Sequence, residues 1–193
     1  MKLIENGLFF EISQDVAKVI TREASPEGII AEVDIPNNFT DFSLANDRFL
    51  MLYRISDPGN FGNLLRTAKA LDWNRVVLIE DCVDPFNPDT IRSSMGANFK
   101  TKFDFLKIEE LAKFMQENFI TLLIADMNGN VHDVFNEMVK KPVGLLLGSE
   151  ANGFIGFPKN IYNSSPKIRV EISNSIESLN IAVCGGILMH NLR

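Results

Sequence analysis

Six short apolar runs, each followed by a stretch with helical periodicity, constrain the fold of this chain more than any other feature. They are FLMLYRI at 49–55, RVVLIE at 75–80, TKFDFL at 101–106, FITLLIAD at 119–126, VGLLLG at 143–148 and KIRVEI at 167–172. Runs of this length without strict alternation fit strands buried on both faces, and the βα rhythm predicts a parallel sheet covered by helices. The expected helices are NLLRTAKAL after Gly62, PDTIRSSMG after Asn87, IEELAKFMQEN from Ile108, HDVFNEMV from His132, and a last one from Ser178 to the C-terminus. Pro88 suits the first turn of its helix, where no N–H is needed. Gly96 and Ala97 read as a point of close helix packing. Residues 1–40 break the rhythm with two prolines, a Gly and an Asn pair in ITREASPEGIIAEVDIPNNFT. They read as an extended arm or partial subdomain, leaving 41–193 as the main domain.

Composition limits the function classes. With 193 residues, 46% apolar and 23% charged, the chain can bury a sizeable core. No apolar run is long enough to cross a membrane, and the start MKLIENGLFF lacks the pattern of a signal peptide, so the expected location is the cytoplasm without membrane attachment. Cys82 and Cys184 make neither a disulfide framework nor a metal-ligand cluster with His132 or His190, and they read as buried reduced thiols. The net charge of −6 argues against gripping nucleic acid over the whole surface, so any such site must be local. Arg54, Arg66, Lys69 and Arg92 are the candidates for a local basic groove.

Three segments place polar groups where an apolar strand gives way to a helix, the edge at which α/β proteins bind ligands. The first, DPGNFGNLLRTAKA at 57–70, puts Asn60 in a turn and Arg66 in the helix that follows. The second, LLLGSEANGF at 145–154, sets small residues where backbone must approach a ligand, with Glu150 beside them; it is neither GxGxxG nor a phosphate loop. In the third, VEISNSIESLNIAV at 170–183, Ser178 is the expected N-cap, and Asn180, amid apolar residues, is expected to be buried and to need hydrogen-bond partners. A fourth, DPFNPDTIRSSMGA at 84–97, carries less chemistry, with Arg92 read as an exposed helix arginine.

In order, these segments resemble motifs 1, 2 and 3 of the SpoU/TrmH branch of the SPOUT RNA methyltransferases, and DPFNPDTIRSSMGA is similar to a segment the family carries between motifs 1 and 2. The resemblance implies a mostly parallel six-stranded α/β sheet with helices on both faces and a C-terminal trefoil knot. It implies S-adenosylmethionine as cofactor without a metal, rRNA or tRNA as partner, and a homodimer in which Arg66 of one subunit lies near the cofactor of the other. By position in the motifs, Ala125, Leu147, Gly148, Val170, Ile172 and Leu179 would contact the cofactor. Asn60, Arg66, Glu150, Ser178 and Asn180 would form the catalytic group for methylation of a ribose 2′-hydroxyl.

Two departures stand out. Glu171 and Asn174 occupy positions where motif 3 usually has Pro and Gly, and residues 1–40 resemble only the tail of the substrate-binding domain that many relatives carry. The alternative reading is a catalytically weak or inactive RNA-binding or ribosome-assembly factor of the same fold.

Overall fold

All six apolar runs form strands. In the computed structural model, which describes residues 10–26, 28–35, 48–73, 75–131 and 142–192, β1 (Arg48–Tyr53), β2 (Arg75–Ile79), β3 (Lys102–Leu106), β4 (Thr121–Val131), β5 (Val143–Leu147) and β6 (Lys167–Arg169) make one sheet in the order β3-β2-β1-β5-β4-β6. Every pairing is parallel. The helices are α1 (Gln14–Thr21), α2 (Pro58–Ala70), α3 (Pro88–Ser94), α4 (Leu111–Glu117), α5 (Lys159–Ser164) and α6 (Ile181–Asn191).

The inner strands β1, β2 and β5 are buried on both faces, as their unbroken apolar runs require, while the edge strands β3 and β6 are only partly covered. Leu50, Leu52, Leu145 and Leu147 pack with Leu64 and Leu65 of α2 and Leu188 and Met189 of α6. On the opposite face Phe49, Met51, Tyr53 and Leu146 pack with Leu111 of α4 and Ile161 of α5. Each such aliphatic side chain contributes about 1.5–3 kcal/mol by leaving water. The indole N–H of Trp73 donates to the Met189 carbonyl at 3.1 Å, tying the end of α6 to the turn after α2. Arg75, only 8% exposed, is neutralised by Asp104 at 2.8 Å.

Several local features differ from the sequence reading. α2 starts at Pro58, ahead of the Gly62 start expected, because Asp57 caps it and Pro58 fills its first turn. Gly96 is not a packing point: it has φ +76, and a Cβ there would meet nothing closer than 3.9 Å. The close contact is at Gly62, where a Cβ would lie 1.9 Å from the Ser93 hydroxyl and 2.7 Å from the Ser94 nitrogen. α5 has no counterpart in the sequence reading, being a single short stretch without apolar periodicity. The helix expected from His132 lies outside the described residues. Arg92 is exposed and pairs with Asp89 at 3.2 Å.

The chain divides into two units, Met1–Ile35 and Pro36–Arg193. In the first, α1 is capped by Ser13 and ends on Arg22 with φ 58; the sequence reading placed no helix there. Val16, Val19 and Ile20 on this helix are exposed. Among the described residues, no helix is long and apolar enough to cross a membrane.

Candidate active site

The strand order creates the site. From β1 the chain passes through α2 to β2 on one side, and from β5 it passes through α5 to β6 on the other. The two adjacent strands therefore send their connections in opposite directions and to opposite faces, leaving a crevice beyond their carboxyl ends. This is the switch point at which open α/β sheets take ligands.

Three side chains meet there. Asn60 sits in the first turn of α2, its N–H donating to the Asp57 carboxylate at 2.7 Å. α3 holds that turn from outside: the Ser93 hydroxyl reaches the Pro58 carbonyl oxygen at 2.8 Å. Glu150 sits in the turn after β5, closed by Ser149 and Gly153, which exchange backbone hydrogen bonds of 3.1 and 2.8 Å. Asn180, and not Ser178, is the N-cap of α6: its Oδ1 accepts from the N–H groups of Ala182 at 2.9 Å and Val183 at 3.4 Å. It is exposed to the crevice and not buried, and it has the partners its setting called for.

The three are joined in a chain. Asn180 Nδ2 donates to Asn60 Oδ1 at 2.8 Å, and Asn60 Nδ2 donates to Glu150 Oε1 at 3.0 Å. Its direction is set by its ends, since the first turn of α6 offers only N–H groups and an ionised carboxylate offers only acceptors. Each amide between them therefore has a single orientation that satisfies both neighbours.

Beneath this chain lies a cavity of about 430 Å³, within the size range of small-ligand sites. Of the expected catalytic residues, Asn60, Glu150, Ser178 and Asn180 line it; of the expected cofactor residues, Ala125, Leu147, Gly148, Val170, Ile172 and Leu179 all do. Arg66 does not. It is exposed on α2. At Gly148 the need for glycine comes from the chain itself, since a Cβ would lie 2.7 Å from the Gly153 carbonyl oxygen.

Sequence reasoning missed Asp126, Phe154 and Cys184, which also line the cavity, and Tyr162, whose hydroxyl donates to Asp126. The nearest signal was the run FITLLIAD, which ends on that carboxylate at the edge of a predicted strand. The Tyr162 hydroxyl is pushed up to about 12, first by its hydrogen bond to Asp126, then by burial and by the charge of that carboxylate. Burial raises the Cys184 thiol, and it raises Cys82 as well. Both cysteines are free and half-buried. Among the described residues, no three His, Cys, Asp or Glu side chains group as a metal site would need.

The SpoU rRNA Methylase family model matches residues 47–190, the whole stretch from β1 to α6. The chain belongs to this family. Among curated proteins, this SpoU-family chain is 26% identical over 193 residues to the 23S rRNA (guanosine(2553)-2′-O)-methyltransferase RlmP of Bacillus subtilis, covering 98% of this chain and 75% of that protein. It is also 26% identical over 187 residues to an uncharacterized tRNA/rRNA methyltransferase of Synechocystis, covering 94% of this chain and 66% of the relative. The chain thus spans about two thirds to three quarters of the length of these relatives. Among solved structures, the AdoMet-bound rRNA methyltransferase from Sinorhizobium meliloti matches with a TM-score of 0.79 at 24% identity, over 97% of this chain and 72% of that one. That likeness confirms the parallel α/β fold.

Proposed function

We propose that this SpoU-family chain transfers a methyl group from S-adenosylmethionine to a ribose 2′-hydroxyl of ribosomal or transfer RNA. The observation that carries the reading is the Asn180–Asn60–Glu150 chain, which closes one side of an otherwise mainly apolar cavity at the switch point of the sheet. The name of RlmP supports the 2′-O reaction, that of the Synechocystis relative supports methyl transfer to tRNA or rRNA, and the S. meliloti structure supports the donor, being AdoMet-bound.

The residues fit such a donor. Leu147, Phe154, Val170, Ile172 and Leu179 give apolar walls for a nucleoside, while Asp126 and Glu150 set two carboxylates, against the single lining cation among the described residues, Arg169, around a ligand that carries positive charge. When bound, the donor supplies an activated methyl group on a sulfonium. Asn60, Glu150, Ser178 and Asn180 would then orient the acceptor ribose against it. Arg66 would stabilise the alkoxide that develops as the hydroxyl loses its proton, a role that suits the guanidinium better than that of general base.

We further infer a homodimer, in which Arg66 completes the site of the partner subunit. In support, Arg66 lies outside its own chain's cavity. The neighbouring groove between α2 and α6, lined by Asn63, Thr67, Val183 and Ile187 among others, leaves Val183 and Ile187 52% and 36% exposed. The C-terminal part is inferred to be tied in the trefoil knot that the SpoU/TrmH resemblance implies. Two features support it: β5 is inserted between β1 and β4, and Gly129 sits so close to β6 that a Cβ would lie 2.7 Å from its backbone. The inferred organisation has residues 1–40 as a partial N-terminal arm or the remnant of an RNA-substrate-binding domain and 41–193 as the catalytic domain, acting in the cytoplasm.

The test combines calorimetric titration with S-adenosylmethionine and a transfer assay on unmodified rRNA and tRNA, using the parent chain and Arg66→Ala. Expected are saturable donor binding by both proteins and transfer by the parent alone. Donor binding without transfer to either RNA would favour the inactive RNA-binding or assembly reading, and equal transfer by both would remove Arg66 from the mechanism.

A further inference from the structure

We propose that Asp126 is a donor-binding residue whose carboxylate accepts hydrogen bonds from the ribose hydroxyls of the adenosyl donor, with Tyr162 as the positioning residue that holds it. The proposal rests on the donor reading above and extends it to two side chains outside the three sequence motifs.

Asp126 follows Ala125 within β4, just past the Thr121–Ile124 part that pairs with β5, and lines the cavity. At this point the strand leaves its ladder with β6, which pairs Ile168 with Ala125 and again with Asn130. Residues 126–129 form the excursion, and Gly129 pins it against the backbone of Lys167 and Ile168. One carboxylate oxygen, Oδ1, accepts the Asn128 N–H at 2.8 Å, and Oδ2 accepts the Tyr162 hydroxyl. A carboxylate has about four lone-pair sites, so acceptor capacity for two further donors remains on a group already fixed in place.

Tyr162 is itself held on several sides. Its ring lies 5.7 Å from that of Phe154. The Lys167 ammonium sits 4.4 Å from the ring centroid and donates to the Tyr162 carbonyl at 2.5 Å. With its pKa pushed up to about 12, the phenol remains a neutral donor to Asp126 over the working pH range.

Position selects the part of the donor. Asn60 follows β1, Glu150 follows β5 and Asp126 follows the part of β4 that pairs with β5, so Asp126 stands two strands away from Asn60, a separation of about 10 Å at ordinary strand spacing. If methyl transfer takes place beside Asn60 and Glu150, Asp126 falls at the nucleoside end, next to the apolar walls from Ile168, Val170 and Ile172. Rossmann-type sites take ribose hydroxyls with an acidic side chain at the ligand end of the sheet, and Asp126, where the β4–β5 pairing ends, offers the same chemistry.

The experiment is calorimetry on the parent chain, Asp126→Asn and Tyr162→Phe with three probes: S-adenosylhomocysteine, 5′-methylthioadenosine and the 2′,3′-dideoxy form of the latter. Asp126→Asn is expected to weaken the two ribose-bearing probes by about 10- to 100-fold, the range for losing charge-assisted hydrogen bonds, and to leave the dideoxy probe nearly unchanged. Tyr162→Phe is expected to lose about three- to tenfold with the same dependence on the ribose hydroxyls, which a purely structural role would not produce. It also tests the proposal should Asp126→Asn fail to fold. Parental affinity for every probe in both variants, or an equal loss for ribose and dideoxy probes, would overturn the proposal and leave Asp126 as an anchor for residues 126–129. No binding of any adenosyl probe by the folded parent would instead overturn the donor reading, and this proposal with it.

Discussion

Asn180 does two things with one side chain, and two substitutions separate them. Its carbonyl oxygen caps α6 through Ala182 and Val183, and its amide N–H₂ donates to Asn60. Asn180→Ala removes both. Losing a cap costs about 1 kcal/mol, and the exposed hydrogen bond to Asn60 adds a few tenths to about 1 kcal/mol. In a chain of 193 residues, each kcal/mol lowers the melting temperature by about 2–4 °C, so a fall of roughly 3–7 °C is expected. Asn180→Asp keeps the cap and places a negative charge at a helix N-terminus, a gain of about 0.3–1 kcal/mol. It also sets an acceptor against Asn60 Oδ1, and turning the Asn60 amide to suit it would only move the clash to Glu150. These terms nearly cancel in stability, so its melting temperature should stay within about 2 °C of the parent. Its single-turnover methyl-transfer rate should nonetheless fall at least as far as that of the alanine variant, by about tenfold or more. Scanning calorimetry and a rapid-quench transfer assay give the two readouts. An aspartate variant with both parental stability and parental rate would refute the argument that the ends of the chain dictate the orientation of its amides.

Alkaline titration provides a second test. The folded pKa of Tyr162 is raised above its ordinary value of 10.0 to about 12, so the stability this supplies is fully present below pH 10 and is lost as pH rises from 10 towards 12. Phenolate absorbance should lag behind that of the unfolded chain, with part of the lag gone in Tyr162→Phe; superimposable curves for folded and unfolded chains would contradict the assigned hydrogen bond. Cys184 lines the cavity and Cys82 does not, so S-adenosylhomocysteine should slow alkylation of Cys184 only, as read by peptide mass spectrometry. Equal protection of both thiols would point to general tightening. Phe119 is 83% exposed yet has φ 53, a backbone conformation that costs a non-glycine residue about 1–2 kcal/mol; Phe119→Gly should raise the melting temperature by about 2–4 °C, and a lower value would mean that the ring contributes packing.

The sheet was legible because burial on both faces leaves a mark: five residues in a row at 75–79 and at 143–147 are buried, and apolar runs this short between turn residues suit strands better than helices. The cavity residues were legible for another reason, since the three motifs occupy the carboxyl ends of β1 and β5 and the start of α6. The order of the strands was not readable, because nothing local to β4 or β5 says which of them will lie beside β1. Asp126 and Tyr162 were missed on that account: they meet across 36 residues, through a strand excursion and a six-residue helix that leave no periodic trace. The caps were confused for a local reason, as Ser178 and Asn180 are both good cap residues and the choice fell to the one that could also reach Asn60.

The clamp of α3 on the start of α2 ties performance to temperature. Asn60 is aimed by a turn whose Pro58 carbonyl and Gly62 are gripped by Ser93, yet neither Ser93 nor any other part of α3 borders the cavity. Loosening one seven-residue helix requires less than melting the six-stranded sheet. Warming should therefore misdirect Asn60 while the strands are still intact, so that heat inactivation precedes unfolding and its onset follows the contact between Ser93 and Pro58.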